Sequence, residues 1–508
     1  MTATSPQAPG LGARLARNSL HSASGRVVAL LAWLVLTPPL VRALGPEGFG
    51  IWSLFYALAG WLGAMDLGFS QVALRFGAAA RARESGSEAG EYATLAVLGY
   101  VLLGLVWLAL ALVAREPALD LLRIPTGARP LAAQAIVAGA IVFTVSGLAN
   151  TTAAALQAWD RFDLANAVTV TASLAQVAGI ALALVRGEGL TACLVAVAAG
   201  WLIAFLAGLL LLARGVRAFR WGTIAAALTH LRGSLRWGVP LQAANAIGVA
   251  HQQLGKLLIV RLLSLGAVVP YELALRVTSS GFTFAQLVLV AMIPEASMMH
   301  ERDQGEHLQA LHRRAGRFVT AAGAIMTAAV ITVAPVLFEA WIGHRDAHGT
   351  LALRGLAVAA YAAVVGGVSG AIARGVGRTD LELEWAVVAL VIHALLGMLL
   401  VPRIGFEGAL VAIAAANGVA AVWFGVRLGR AMGWPLGRVV WDPFAVPILA
   451  VVLGSVLGNL CIGAVPSAWG AVVLTGAVSS VVTVAVLLLL RHVEWRELMS
   501  LARRVFAT

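Results

Sequence analysis

The sequence predicts an all-α integral membrane protein of about fourteen transmembrane helices. These form two six-helix lobes related by a pseudo-twofold axis along the membrane normal, with two C-terminal helices added. Three observations lead there. Of the 508 residues, 60% are apolar and only 12% are charged, and the mean hydropathy of +0.89 lies far from the balance of soluble domains. Apolar runs of about 20 residues, each long enough to cross a bilayer, recur along the chain. The second half of the chain also echoes the first at a nearly constant interval.

The first two spans fall at about 20–43 and 48–72, separated by the helix-breaking turn Leu44-Gly45-Pro46-Glu47-Gly48-Phe49-Gly50. Four more follow at about 92–114, 132–157, 164–185 and 190–213. They complete an N-terminal lobe of residues 1–213. Residues 214–236 are rich in arginine, carry Trp221, and are expected to form an amphipathic cytoplasmic helix lying at the interface. The second lobe, 237–431, holds spans at about 237–262, 267–296, 318–342, 353–374, 383–402 and 408–429. The remainder, 432–508, supplies two spans at about 443–465 and 468–490 and a cytoplasmic tail.

Arginines set the orientation, since cytoplasmic loops carry the excess of positive charge. With the N-terminus inside, inner positions hold Arg14, Arg17, Arg81, Arg83, Arg161, Arg313, Arg374, Arg378, Arg427 and many others, whereas the outer loops hold far fewer. Both termini are therefore expected in the cytoplasm, and the first apolar run, which has no small-residue cleavage site, reads as a membrane span. The net charge of +12 comes from these short loops, so lipid headgroups and not nucleic acid are the expected contact. Cys193 and Cys461 sit in apolar segments and offer neither a disulfide nor a metal framework.

The internal echo is specific in three places. Val41-Arg42, with Trp52 ten residues on, matches Val260-Arg261 with Tyr271, and Glu188-Gly189 matches Glu407-Gly408, both at an offset of 219. Asp160-Arg161-Phe162-Asp163 resembles Gly377-Arg378-Thr379-Asp380 at 217. Six spans per copy is an even number, so the copies share one orientation and a substrate is expected between the lobes.

Polar residues inside the spans mark the candidate chamber. On the seventh span Gln242, Asn245, Gln252, Gln253 and Lys256 fall within an arc of about 100°. A lysine there costs about 2.5 to 3.5 kcal/mol to insert, which favours a face turned to water or protein. Lys256, the sole lysine, lies near the outer end, where snorkelling is the alternative. His251 points to the other side and reads as a packed or interfacial histidine in preference to a ligand. On the eighth span Glu272, Arg276, Ser279, Thr283 and Gln286 share an arc of about 80°. Glu272 and Arg276, four apart, either neutralise each other or open when substrate arrives. Arg26 on the first span is the remaining basic residue, a chamber group or a headgroup anchor. Such a chamber suits an anionic solute, phosphate above all, because guanidinium forks match phosphate oxygens. Asp66 is an ion-coupling or structural acid, and Arg75 joins it and Glu272 as a gating candidate.

No catalytic constellation stands out, neither a phosphate-binding loop nor His-Glu-x-x-His nor clustered cysteine and histidine. No cofactor is expected, and a proton or ion gradient is the implied energy source.

The Leu-Gly-Pro-Glu-Gly-Phe-Gly turn, the following Trp52-Ser53-Leu54, the Asp66-Leu67-Gly68 run and the later Gly405-Phe406-Glu407-Gly408 resemble the polysaccharide-unit flippases. These are the O-antigen and exopolysaccharide transporters of the multidrug/oligosaccharidyl-lipid/polysaccharide exporter superfamily. The resemblance implies a V-shaped pair of lobes that alternates between inward-open and outward-open states. It further implies transport of an undecaprenyl-diphosphate-linked oligosaccharide across the bacterial inner membrane, alongside a polysaccharide polymerase and glycosyltransferases. Related lipid II flippases are similar in having arginines on the first and eighth helices, and the matching positions are Arg26 and Arg276. Their other basic positions have no match, which makes a peptidoglycan substrate less favoured. On this reading Arg26, Arg276 and Lys256 bind diphosphate, while Gln242, Asn245, Gln252, Ser279, Thr283 and Gln286 line the sugar chamber. The alternatives are an ion-coupled drug or small-solute exporter, whose acidic lumen the basic residues here argue against, and a membrane glycosyltransferase or polymerase, for which the outer loops are short.

Overall fold

The computed structural model describes residues 11–302, 304–437 and 444–493; side chains at 11–30, 240, 241, 244, 283, 284, 286–288, 290, 291 and 294 lie outside that description. The described residues are helical, with no strand among them. The first compact unit, Met1–Val249, contains α1 (Leu11–Ala64), α2 (Phe69–Ala82), α3 (Gly86–Leu121), α4 (Arg129–Ala158), α5 (Phe162–Val185), α6 (Leu190–Gly215), the short α7 (Ile224–Thr229) and the first half of α8 (Leu231–Leu262). The second, Ala250–Thr508, contains the rest of α8 and α9 (Val268–Gly281), α10 (Thr283–Glu301), α11 (Gly305–Ile342), α12 (Ala347–Gly375), α13 (Thr379–Ile404), α14 (Phe406–Met432), α15 (Ala445–Asn459) and α16 (Ala468–Leu489).

Among the described residues nine helices are long and apolar enough to cross a membrane. A tenth crossing comes from the pair Leu31–Ala64 and Phe69–Ala82, bent by 42°. The departures from the simple reading of spans have local causes. Gly45 takes φ 65° and breaks α1 at the expected turn. The second span does not run on to residue 72, because Leu67 (φ 56°) and Gly68 (φ 78°) are both left-handed and end the helix beside Asp66. The eighth is interrupted at Phe282, between α9 and α10. Lys256 and four polar neighbours on α8 remove that helix from the purely apolar set.

The repeat is visible element by element. Shifted by 219, the start of α3 falls on the start of α11 and the end of α2 on the end of α10. Shifted by 217, the start of α5 falls on that of α13 and the end of α4 on that of α12. Trp52 and Tyr271, equivalent at 219, are both fully buried. The sharpest agreement lies at the turns into α5 and α13. Arg161 forks onto Asp163 through two bonds of 3.1 and 3.0 Å. Arg378 forks onto Asp380 through two of 2.8 and 2.7 Å. Each arginine follows a left-handed residue, Asp160 in one unit and Gly377 in the other. The hydrogen bond that Arg161 donates to the Asp163 carboxylate raises the Arg161 pKa above its ordinary value.

The stretch 214–236 is not one amphipathic helix. It comprises the end of α6, an extended loop, the short α7 and the opening of α8. The reason is close packing on α3: a Cβ on Gly90 would lie 1.6 Å from the Arg220 carbonyl oxygen, and one on Gly86 would lie 2.3 Å from that of Ala218. Thr94 donates to the Gly222 carbonyl at 3.2 Å, and His230 meets Glu91 at 2.8 Å. The loop is thus held flat against the start of α3, where an independent helix would not fit.

Candidate functional site

Each unit contains a buried polar centre among the described residues. In the first, the α1–α2 break turns Asp66 inward, where it is 7% exposed. Its Oδ1 accepts the Gly68 backbone N–H at 2.8 Å and also a bond from the Gln242 amide, while Oδ2 accepts from the Tyr100 hydroxyl. Asn245 donates onward to the Gln242 carbonyl oxygen at 3.3 Å. All three neighbours of Asp66 donate, so the geometry serves a carboxylate acceptor with no cation bonded to it among the described residues. The close approach of α8 that brings Gln242 there depends on glycine, since a Cβ on Gly238 would sit 2.4 Å from the Leu67 carbonyl oxygen.

In the second unit α8 presents Lys256 and α9 presents Glu272, each 5% exposed. Lys256 Nζ stands 2.6 Å from Glu272 Oε2, and Arg276 Nε donates to Oε1 at 3.0 Å. Among the described residues one carboxylate therefore serves two cations, in a setting where charge interactions are weakly screened. Arg276 is the more open partner, its side chain 21% exposed. An anion arriving at Arg276 would compete with Glu272 for the guanidinium, which is the chemistry of a site that exchanges an internal counter-ion for a ligand.

The remaining sequence candidates are distributed as follows. Asn245, Gln252 and Ser279 are exposed. Arg75 is exposed and lies over the Trp237 ring, 4.6 Å from its centroid, a cation–π contact on the first unit. The side chains of Arg26, Thr283 and Gln286 lie outside the described set, although the backbone of each is helical. The break at Phe282 also ends the continuous helical phase that put Thr283 and Gln286 on one arc with Arg276.

Sequence reading missed two features. Tyr100, the aromatic donor to Asp66, sits on α3 with no polar neighbour in sequence to announce it. A cavity of about 140 Å³ lies in the second unit among α11, α12 and α14. His312, Arg313 and Arg317 line it, although the sequence reading assigned both arginines to a loop. Among the described residues no cluster of three or more histidine, cysteine or acidic side chains could hold a metal ion.

The fold is that of a known class of membrane transporters. A structure described as lipid II flippase MurJ in an inward closed conformation aligns over 95% of this chain and 99% of its own, at 13% identity and a TM-score of 0.71. An inward-facing multidrug resistance MATE family transporter of the MOP superfamily aligns over 81% of this chain and 95% of its own, at 17% identity and a TM-score of 0.65. Its outward-facing counterpart aligns over 83% and 96%, at 19% and 0.57. Residues 15–300 match the polysaccharide biosynthesis protein family, and the chain belongs to that family. No curated protein sequence matches it.

Proposed function

We propose that this protein is a flippase that carries a polyprenyl-diphosphate-linked oligosaccharide across the bacterial inner membrane by alternating access, for assembly of a surface polysaccharide. The observation that carries the reading is membership of the polysaccharide biosynthesis family. The fold, shared along nearly the whole chain with a structure described as a lipid II flippase, supports a lipid-linked substrate. The triad supports the chemistry: Arg276 and Lys256 would receive the diphosphate as Glu272 yields its place, and Arg26 would add a further guanidinium. Exposed Asn245, Gln252 and Ser279 would meet sugar hydroxyls. The polyprenyl tail would stay in lipid, with the polymerase and glycosyltransferases as working partners and both termini in the cytoplasm.

Replacing Arg26 and Arg276 together with alanine is expected to stop glycan reaching the cell surface while the amount of protein in the membrane stays constant. Undiminished surface glycan in the double variant refutes the assignment of the site.

The MATE likeness and the Asp66 centre favour one other reading, an ion-coupled exporter of small cationic solutes, because a buried carboxylate without a bonded cation suits a positive ligand. A deletion strain separates the two. Loss of surface polysaccharide supports the flippase, and gain of drug sensitivity with intact polysaccharide supports the exporter.

A further inference from the structure

The cavity among α11, α12 and α14 of the second unit shares no residue with the Lys256–Glu272–Arg276 triad. One stripe of α11 forms its charged wall. Glu306, Gln309, Arg313, Arg317 and Thr320 follow one another at steps of three and four residues, which places them on a single helix face. Hydrogen bonds fix the wall behind that stripe. Buried His312 lies 3.3 Å from the Ser369 hydroxyl of α12, and Thr320 donates to the Gly316 carbonyl at 2.8 Å and stands 3.2 Å from the His492 imidazole. His492 follows α16 and Phe444 precedes α15, so the two helices outside the repeat contribute to the lining.

Arg313 and Arg317 lack a counter-ion. Among the described residues neither makes an ion pair or a side-chain hydrogen bond, and Glu306, the carboxylate in the wall, is bonded to neither. Other arginines at the same end of the unit are held: Arg374 by Glu382, Arg378 by Asp380 and Arg427 by Glu384. Two guanidinium groups four residues apart on one helix repel each other. An anion between them would remove that repulsion, and their forked donors match the oxygens of a phosphate.

Size and depth narrow the ligand. The cavity's volume of about 140 Å³ is well below the roughly 300–1,000 Å³ of pockets that enclose a drug-sized molecule, which excludes a nucleotide or a sugar chain and leaves room for a phosphate group. At 38 residues α11 is about 57 Å long, against roughly 30 Å of hydrocarbon. Its apolar stretch begins near residue 318, so the two arginines stand at the level of lipid headgroups. The neighbouring α14 carries Trp423, 45% exposed, next to Val422, a lining residue that is itself 38% exposed. An exposed tryptophan suits the membrane interface, and Val422 gives the cavity an apolar rim on the lipid side. At the 219-residue interval Thr94 stands against Arg313 and Leu98 against Arg317, so the cationic wall belongs to the copy that packs against the two added helices.

We propose that this cavity binds the phosphate of an anionic glycerophospholipid from the adjoining leaflet, which the positive-inside reading makes the cytoplasmic one. Arg313 and Arg317 hold the phosphate oxygens, and the acyl chains lie along α14 beside Val422 and Trp423. Inorganic phosphate offers the same oxygens, but the apolar rim and the headgroup depth favour the lipid. Bound there, the lipid braces α15 and α16 against α11, next to the apolar contact of Ala321 with Ala450 and Leu487. The site does not depend on which solute the protein transports.

The test uses full-length protein purified in mild detergent and stripped of lipid. Native mass spectrometry with phosphatidylglycerol and, separately, phosphatidylcholine is expected to show tighter retention of the anionic lipid. In the Arg313→Gln, Arg317→Gln double variant that preference should fall roughly tenfold or more, whereas Arg314→Gln, at an exposed position outside the cavity wall, should keep it. Equal retention of the two lipids by wild type, or a preference that survives in the double variant, overturns the proposal. If the double variant yields no folded protein, Arg313→Gln alone is read the same way, since Arg313 is exposed, and an unchanged preference there overturns the assignment. Thermal midpoints separate lipid from free ion. Phosphatidylglycerol should raise the midpoint of wild type and leave that of the double variant unmoved, and inorganic phosphate at the same concentration should shift neither. Inorganic phosphate that stabilises wild type as strongly as the lipid, through the same arginines, refutes the lipid as ligand.

Discussion

At the scale of residues, the second unit turns on the fact that Glu272 pairs with two cations, the buried Lys256 and the half-buried Arg276. Removing one member of a buried ion pair costs about 3–5 kcal/mol, because the partner is left charged in a poor solvent. Glu272→Ala is therefore expected to lower the thermal midpoint of the detergent-solubilised protein sharply. Adding Lys256→Met to it should recover most of the loss, since Arg276 alone can reach outward. If the double variant is no more stable than the single, Lys256 is not the residue that Glu272 neutralises. Both centres were half legible in the sequence. A lone lysine, a glutamate and an arginine on two adjoining apolar helices were conspicuous because charge in a span is costly. His393 and Tyr100 were not, since a single histidine or tyrosine in an apolar helix does not reveal which helix will pack against it. His251 read correctly as pointing away from the polar stripe of α8, but its partner on α13 emerges only from the packing.

At the scale of elements, the α1–α2 break and the first half of α8 form one device. Two left-handed residues stop α1, Asp66 accepts from the backbone beyond the break, and Gly238 lets α8 approach closely enough to deliver Gln242. A side chain at Gly238 meets backbone, which cannot move aside as a flexible side chain can. Gly238→Val is expected to cost about 1–3 kcal/mol. A thermal midpoint equal to wild type would mean that α8 does not need this contact. Hydropathy does not detect a break of this kind, because Leu67-Gly68-Phe69 is as apolar as the helix before it; the helix ends through backbone conformation. The linker was misread for a related reason. Its arginines and tryptophan suit an interfacial helix, but Gly86 and Gly90 on α3 make a track that holds the chain extended. By contrast, the paired Arg-x-Asp turns at α5 and α13 were readable because their chemistry is entirely local.

At the scale of the whole molecule, the duplication explains why the two units share helix boundaries, and divergence explains why their polar centres differ. At the 219-residue interval Lys256, Glu272 and Arg276 correspond to Thr37, Ser53 and Ala57, all three buried. In the other direction, Asp66 and Tyr100 correspond to Ala285 and Val319, also buried. One copy has kept an acidic centre and the other a basic one. On the proposed flippase reading, the basic centre would take the anionic substrate, and the acidic centre would suit a cation. The family match over residues 15–300 and the fold shared along 95% of the chain belong to this scale, where the sequence was most informative.

The central claim is that the protein moves a polyprenyl-diphosphate-linked glycan and that the basic centre of the second unit binds its diphosphate. The direct measurement uses purified protein in liposomes loaded with a fluorescent polyprenyl-diphosphate oligosaccharide, with a membrane-impermeant reagent that destroys label at the outer face. Wild-type protein should expose the inner pool to the reagent, and the Lys256→Ala, Arg276→Ala double variant should do so no faster than protein-free liposomes. Wild-type protein that leaves the inner pool protected, or a double variant as fast as wild type, would contradict the account.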